Sequence, residues 1–340
     1  SRVRDSRESS VVWSWQCARL QESVAADPES GRMLRDERAR PHLLLSSRAS
    51  TTRMVSNWRV NRAEQGRPSM VAVDGPRVAI GRWMEGPSLS LAAEQLQPFV
   101  GRTIGRVSGN SKIGIERMQR KRIRRIFSWG KHLVVQFDSF ALRVHFMLWG
   151  TFAATVEGAS VTGDYRRSGP PRLVLEFTNG EITIWSASLR FLESGDARED
   201  YDFTADVLSE RWDPRAAIRK VRRHPQAQIA DVLLDQAIFA GVGNIIKNEV
   251  LFRTGHSPFA KVSSLAPAAL RRVVADARVF SFRFLELRRE FALRENLEVY
   301  GRSVCSRCGG KVNRRVHGTR ERRSFFCVAC QRVRLPRTSR

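Results

Sequence analysis

The 340-residue sequence contains no uninterrupted apolar run of the about 18 residues that a membrane-spanning helix needs. Its first residues also lack the basic segment, apolar core and small-residue cleavage site of a secretory signal. Acidic residues are scarce: 34 stand against 59 basic ones, and the formal net charge is +25. These absences favour a soluble intracellular protein. The basic surplus favours a polyanionic partner, and nucleic acid before a membrane surface.

Cysteine is scarce too, with five in the chain, and four of them lie within 26 residues near its end. They form two Cys-x2-Cys pairs separated by eighteen residues, a spacing typical of a β-hairpin that closes on one Zn²⁺. Four sulfur ligands leave no open position, so we expect one structural zinc ion per chain. Two disulfides or four free thiols are the alternative, which the spacing disfavours. The ligands are Cys305, Cys308, Cys327 and Cys330.

Arginine is abundant between the two cysteine pairs, in the segment RRVHGTRERRSFF. A rigid hairpin with arginines at its tip suits contact with phosphates or insertion into a groove. His317 lies in the same segment. Because four cysteines are already available as ligands, we expect His317 to be an exposed loop residue.

Residues 1–83 differ in composition from the rest of the chain, with fifteen arginines and no lysine. Their Ser, Arg and Pro content and weak periodicity predict a segment that buries too little apolar surface to fold. We expect a disordered or non-native leader, translated ahead of a native first residue at Met84. A regulatory tail is the alternative.

From Met84 onward, hydrophobic periodicity predicts one short helix, then antiparallel strands, then several helices. The helical pattern of 87–100 is followed by alternating apolar residues between 103 and 192. After Pro214 the period becomes helical. The four helices expected there cover 214–225, 229–239, 244–255 and 266–293.

Two glycines, Gly241 and Gly243, stand directly before Asn244 and the third of these helices. Backbone N–H groups at the start of a helix attract anions, and Asn244 could cap the helix or contact a phosphate. Ordinary packing between helices would explain the glycines equally well.

Several motifs occur together in one order along the chain. Glu85–Pro87 precedes the first helix, Trp129–Lys131 lies in a hairpin pattern, and the run LLDQ…AGVGN…KNEVL precedes the four-cysteine finger. With these motifs, the chain from Met84 to about Gln331 resembles the formamidopyrimidine-DNA glycosylase and endonuclease VIII family of base-excision repair enzymes. The endonuclease VIII branch is favoured.

The resemblance implies an α+β fold in two lobes, with DNA in the cleft between them. The N-terminal lobe is a catalytic β-sandwich over residues 84–205. A helix–two-turn–helix DNA-binding region over 206–300 and a zinc-finger β-hairpin over 301–335 form the second lobe. Zinc-ribbon transcription or RNA-binding factors are a further class, but they would not account for the motif at Glu85–Pro87.

The resemblance also implies a chemistry. Family members attack C1′ of a damaged nucleotide with the α-amine of an N-terminal proline, form a Schiff base, and cleave the strand by β- and usually δ-elimination. Glu85 corresponds to the carboxylate that moves protons beside this amine, and Lys131 to the hairpin lysine at the phosphate next to the lesion. Asn244 and Arg322 correspond to the phosphate-binding asparagine and the finger arginine.

The expected partner is double-stranded DNA containing oxidised bases or abasic sites, bound by a monomer in a cytoplasm of bacterial type. By resemblance, Met147, Leu148 and Trp149 lie where the family inserts side chains into the gap left by a flipped base. Neighbours on a strand point to opposite faces, so we expect at least one of the three to belong to the β-core.

The sequence departs from the family at the nucleophile, because Met84 and not a proline precedes Glu85. If the native chain begins at Met84, its retained α-amine takes the place of the proline. An unperturbed α-amine pKa of about 7.7–8.0 leaves much of it nucleophilic. If residues 1–83 are present, this nitrogen lies in a peptide bond, and the protein should bind damaged DNA without cutting it. A second departure is Ser88, where many relatives carry another glutamate.

Overall fold

A computed structural model describes residues 84–161 and 169–332. The expected leader over 1–83, the isolated Cys17 and the last three residues of the expected finger domain lie outside the described residues. Every helix in the described part is too short or too polar to span a membrane.

The first described element is helix α1, which covers Gly86–Gln95. Pro87 suits its first turn, where the N–H that proline lacks has no partner within the helix. Leu89 and Ala92 are buried on the face that packs against the sheet. Because Glu85 directly precedes α1, this packing also positions the Glu85 side chain.

Seven strands in the described part form one antiparallel sheet in the order β1-β6-β7-β4-β3-β2, with β5 beside β4. The long strands β4 and β7 pair along most of their length, with a register shift between Phe146 and Thr151. Alternate residues face a buried apolar core, as the period-two pattern predicts. The strands are β1 (Arg106–Ser108), β2 (Arg125–Trp129), β3 (His132–Gln136), β4 (Ala141–Val156), β5 (Ala159–Ser160), β6 (Leu173–Phe177) and β7 (Gly180–Leu192).

Helices form a second core after the sheet. Asp213 caps the first of them by accepting hydrogen bonds from the backbone N–H groups of Arg215 and Ala216, at 2.8 and 3.0 Å. The third helix begins directly after Gly243 and is buried along most of its length. The helices are α2 (Pro214–Arg222), α3 (Ile229–Leu233), α4 (Asn244–Arg253) and α5 (Pro267–Arg289).

The predicted helix over 229–239 is too long, because α3 ends at Leu233. Beyond it, the Asp235 side chain accepts a hydrogen bond from Ala237 N, and Gln236 Nε2 donates to Val242 O at 3.0 Å. These side chains stabilise turns in place of another helical turn. The turns bring Gly241 and Gly243 to the start of α4.

The finger follows α5 as a two-stranded hairpin of β8 (Asn313–His317) and β9 (Arg322–Phe326). It packs against α4, and its small core includes Phe252, Cys305 and Cys327. The predicted α+β class, with an N-terminal sheet and a C-terminal cysteine cluster on a β-hairpin, is confirmed.

Candidate DNA-binding and catalytic site

The Glu85 carboxylate lies at the N-terminus of α4, although the two are about 160 residues apart in sequence. Oε1 accepts a hydrogen bond from Ile245 N at 2.7 Å, and Oε2 accepts from Gly243 N and Ile246 N at 3.1 and 3.2 Å. A side chain on Gly243 would overlap this carboxyl group. The helix start therefore holds a carboxyl group of the protein itself, where the sequence leaves open an external anion or ordinary packing between helices.

Glu85 and Lys131 are close enough for their charges to shift each other's pKa. Burial raises the pKa of Glu85, whereas Lys131 and the three backbone N–H groups oppose that rise. Burial lowers the pKa of Lys131; Glu85 opposes this change, and Arg322 and Arg320 reinforce it. A buried carboxyl group, an amine and two finger guanidinium groups thus share one electrostatic site.

The hairpin that carries Lys131 is anchored by a residue that the sequence analysis missed. Asp206 Oδ2 accepts a hydrogen bond from Gly130 N at 2.9 Å, and its Oδ1 accepts from Leu208 N at 2.9 Å. Gly130 has φ +52° and lies against the backbone of Gly241. Asp206 therefore joins the hairpin of the sheet to the loop before α4. Sequence spacing carries no signal for this contact.

A second contact between the same loop and the segment before α1 involves two glycines. Gly86 N donates to Gly241 O at 2.9 Å, and a side chain on Gly86 would overlap Gly241 Cα. The backbone before α1 therefore approaches the loop as closely as glycine permits. Met84, two residues before Gly86, is half-buried against the sheet core, and Ser88 is buried in α1.

Asn244 is the first residue of α4 and directly precedes Ile245, whose N–H group binds Glu85. Its Oδ1 accepts a hydrogen bond from Nζ of Lys247 at 2.9 Å. Lys247 is 1% exposed and also donates to Ser324 Oγ at 2.9 Å and Arg323 O at 3.3 Å. Burial lowers the pKa of Lys247 to about 7, against the opposing charge of Glu85.

The expectation that His317 is an exposed loop residue is wrong. It ends strand β8 half-buried, with Nδ1 2.5 Å from Gln228 Oε1 and Nε2 2.7 Å from Ser324 Oγ. Burial lowers the pKa of its imidazole. The reason is tertiary: the hairpin folds back onto α3, where Asp231 accepts a hydrogen bond from Thr319 N at 3.0 Å.

Arg322 is exposed at the start of β9, and its charge acts on both Lys131 and Lys247. The neighbouring Arg320 lies 4.0 Å from Asp235. The sequence spreads Glu85, Lys131 and Arg322 over more than 230 positions. In the structure they lie together with Asn244 at the N-terminus of α4, and these four residues form the mouth of the candidate site.

Met147, Leu148 and Trp149 are all exposed, at 55%, 68% and 43%. The expectation that at least one of them belongs to the β-core is wrong. The register shift between Phe146 and Thr151 removes the intervening residues from pairing with β7, so the strand's alternation does not apply to them. Three large side chains stand out together from this bulge.

His145 lies just before these exposed residues, on β4, and the sequence analysis did not select it. Its Nδ1 is 3.1 Å from Lys131 O, so the imidazole contacts the backbone of the hairpin lysine. The only signal in the sequence is its position on the strand before Met147.

The four finger cysteines are free, and their sulfur atoms all lie within 4.8 Å of one another. The Cys305–Cys330 and Cys308–Cys327 sulfur pairs are 3.8 and 3.5 Å apart. Four sulfurs around one tetrahedral ion with metal–sulfur bonds near 2.3 Å would be about 3.8 Å apart. The donor set therefore suits a metal ion such as Zn²⁺.

Comparison with known proteins agrees with this geometry. Residues 203–280 match the family described as Formamidopyrimidine-DNA glycosylase H2TH domain. The chain is 33% identical to Endonuclease 8 2 of Mycobacterium bovis over 220 residues, which cover 61% of this chain and 82% of that protein. It is 31% identical to the DNA-(apurinic or apyrimidinic site) lyase Nei2 of Mycolicibacterium smegmatis, covering 61% and 81%.

Endonuclease 8-like 3 of Mus musculus is 30% identical over 206 residues, 60% of this chain, and the match spans only 33% of that longer protein. The fold is shared with Lactococcus lactis formamidopyrimidine DNA glycosylase in a complex with DNA that contains an AP site. The TM-score is 0.63 at 22% identity, with 73% of this chain and 99% of that chain covered. This chain belongs to the formamidopyrimidine-DNA glycosylase and endonuclease VIII family, on its endonuclease VIII side.

Proposed function

We propose that the protein is a base-excision DNA glycosylase with AP lyase activity, which removes oxidised bases from double-stranded DNA and nicks the abasic strand. The observation that carries the proposal is the buried Glu85 carboxyl group, which three N–H groups at the start of α4 hold beside residue 84 and Lys131. Relatives named Endonuclease 8 2 and DNA-(apurinic or apyrimidinic site) lyase support this reading.

In this proposal the mouth of the site binds the phosphates that flank the lesion. Lys131 and Arg322 supply positive charge, and Asn244 supplies an amide donor. Met147, Leu148 and Trp149 project from the bulge and fill the gap that a flipped nucleotide leaves in the duplex. One protein molecule suffices for this arrangement, which agrees with a monomer.

The chemical step requires a neutral α-amine at residue 84. Its nitrogen bonds to C1′ as the glycosidic bond breaks, and the departing base takes a proton. The deoxyribose ring then opens: O4′ is protonated, the nitrogen loses a proton, and a Schiff base forms. Loss of a C2′ proton expels the 3′-phosphate, and water releases the sugar remnant from the amine.

Glu85 suits the proton transfers in this sequence. Because burial raises its pKa, the carboxyl group holds a proton at a higher pH than an exposed glutamate would. Its three N–H donors stabilise the carboxylate form after the proton has left. It can therefore give a proton to O4′ and regain one later in the cycle.

We propose Zn²⁺ as the metal of the four-cysteine cluster, with one ion per chain. All four ligands are sulfur, so the ion has no position for substrate and acts by holding the hairpin that carries Arg322. The reaction itself belongs to residue 84 and Glu85.

The alternative function is binding of abasic or damaged DNA without cleavage. One observation favours it: in the full sequence Trp83 precedes Met84, so the nitrogen of residue 84 lies in a peptide bond. The two functions therefore differ in whether a free amine exists at residue 84, and not in how DNA is held.

Trapping of the Schiff base by borohydride tests the proposal. Protein that begins at Met84 and protein with all 340 residues are each incubated with duplex DNA that contains one abasic site. The protein with a free Met84 amine should form a covalent adduct, and the full chain should bind without one. The Glu85→Gln variant of the shorter protein should form adduct about 100-fold more slowly. Tight binding without an adduct from the free-amine protein would refute the lyase proposal.

A further inference from the structure

We propose that Lys247 is a positioning residue that orients the Asn244 side-chain amide so that its NH₂ group is available to a DNA phosphate. The inference rests on the proposed function and assigns a role in DNA binding to a residue that does not itself contact DNA. It is carried by hydrogen bonds between α4 and the finger hairpin.

Lys247 is an unusual residue for its place in the fold. It is 1% exposed on α4, where that helix meets the finger hairpin, and within the described residues no carboxylate forms an ion pair with it. Burying an amine away from a counter-ion is costly unless its hydrogen bonds are satisfied. Its Nζ faces three oxygen atoms, those of the Asn244 amide, the Ser324 hydroxyl and the Arg323 carbonyl.

The contact with Asn244 has a directional consequence. A side-chain amide has an acceptor oxygen and a donor nitrogen of nearly the same shape, so packing by itself barely distinguishes two orientations that differ by 180°. The ammonium form of Lys247 only donates hydrogen bonds, and its three N–H groups match the three oxygen atoms around Nζ. The amide oxygen must therefore face Lys247, and a flipped amide would set its N–H groups against the N–H groups of the amine.

The orientation matters because phosphate oxygens only accept hydrogen bonds. With Oδ1 held by Lys247, both hydrogens of Asn244 Nδ2 are directed away from the lysine. In the flipped orientation the amide oxygen would take that place and repel a phosphate. Lys247 thus selects the binding-competent orientation without itself touching DNA.

The finger hairpin supports the same orientation. Gln228 Oε1 can only accept, so Nδ1 of His317 carries a hydrogen and donates to it; in the neutral imidazole, which burial favours, Nε2 then accepts from the Ser324 hydroxyl. The Ser324 oxygen is then left to accept from Lys247. This chain of hydrogen bonds runs in one direction from α4 through β9 to α3.

A double-mutant cycle tests the proposal in the full 340-residue protein. The probe is duplex DNA with one tetrahydrofuran abasic-site analogue, which cannot be cleaved, so binding is measured apart from the amine chemistry. Lys247→Met and Asn244→Ala should each raise Kd about 10-fold. In the Asn244→Ala background, Lys247→Met should change Kd by less than about 2-fold, because its effect passes through that amide.

Two further variants separate orientation from charge and from fold. Lys261→Met removes one exposed positive charge near the finger and should leave Kd nearly unchanged. Lys247→Gln keeps a donor of smaller size, and it should recover part of the binding that Lys247→Met loses. Zinc content and Tm are measured for every variant, and Lys247→Gln with its Asn244→Ala partner replaces Lys247→Met if the latter does not retain zinc.

The outcomes distinguish the inference from the proposed function. If Asn244→Ala weakens binding but Lys247→Met is equally harmful in both backgrounds, Lys247 acts structurally, and only the inference is wrong. If Asn244→Ala leaves Kd unchanged, the proposed phosphate contact is wrong, and the inference is wrong with it. Equal losses for Lys247→Gln and Lys247→Met would also overturn the orientation role.

Discussion

The core of the sheet and the core of the helices bury different kinds of group. Apart from Glu85, the buried polar residues among the strands are neutral amides and hydroxyls such as Gln136, Thr151 and Thr183. The middle of α4 instead carries a lysine, an asparagine and a glutamate in succession, each 1% exposed or less: Lys247, Asn248 and Glu249.

Each of these three α4 residues reaches the finger or the segment that leads to it. Lys247 donates to Ser324, Asn248 Oδ1 accepts from Phe325 N at 2.8 Å, and Glu249 accepts three backbone N–H bonds from 298–300 at 2.8 to 3.0 Å. The sheet buries an apolar core formed by its own strands and α1. The finger is held by its four-cysteine cluster, with the metal proposed for it, and by directional hydrogen bonds from another element, so it should unfold separately from the sheet.

Removing the metal should give the largest difference between the finger and the sheet. Cys308→Ser, or treatment with a chelator, should weaken binding of abasic-site DNA more than about 100-fold, because a structural zinc ion supplies most of the folding energy of a small finger. The near-ultraviolet circular dichroism of the sheet tryptophans should change little. Cys17→Ser is the control and should keep its zinc. Unchanged DNA binding after complete metal loss would contradict this account of the finger.

Matched deletions of one buried polar side chain in each core should give the next largest difference. Glu249→Ala removes the carboxylate that accepts from three backbone N–H groups, one of them, that of Val299, fully buried, and should lower the free energy of unfolding by about 4 kcal/mol. Gln136→Ala in the sheet removes the acceptor of the buried Ala197 N–H and the donor to the carbonyl groups of Phe137 and Phe140, and should cost about 2 kcal/mol. Urea denaturation at pH 7 measures both. If Gln136→Ala lowered the free energy of unfolding as much as Glu249→Ala or more, the two cores would not differ in their dependence on buried polar groups.

Mild acid should affect the sheet through His132, with the smallest effect. Burial, together with Arg143 and His145, lowers the pKa of His132 to about 4 in the folded protein, against an ordinary value of 6.5. Between pH 6.5 and pH 4 the unfolded state binds more protons, so stability falls as the pH falls through this window. The His132→Phe variant keeps the stacking on Trp129. Between pH 7 and pH 5 its Tm should fall by about 3 °C less than the Tm of the unaltered protein.

The exposed His224 provides the control for that measurement. His224→Phe should retain the pH dependence of the unaltered protein. If it removed the acid loss as fully as His132→Phe, the loss could not be assigned to the hairpin.

Local patterns predicted much of this molecule and failed at identifiable places. The strands between 103 and 192 follow from alternation, and α4 begins where the glycines end. The helix over 229–239 was predicted too long because Asp235 and Gln236 stabilise turns that apolar periodicity does not detect. The exposure of Met147–Trp149 was missed because a bulge depends on pairing with β7.

The residues of the site divide in the same way. Glu85, Lys131, Asn244 and Arg322 were selected through their motifs, and the structure brings them to one mouth. Asp206 and His145 lie outside the motifs, Lys247 lies inside the KNEVL motif but had no role assigned to it, and His317 was misplaced. Each of these four acts through a partner more than ten residues away in sequence.

The sequence by itself determined the four-cysteine cluster and the order of strands and helices, because ligand spacing and hydrophobic period are local properties of the chain. Only the tertiary structure decided which anion lies at the start of α4 and which way the Asn244 amide is held. Those outcomes require Glu85 to meet Ile245 and Lys247 to meet Ser324, contacts that exist only after both cores and the finger have packed. Side chains of the same type elsewhere in the chain, placed against water, would have neither role.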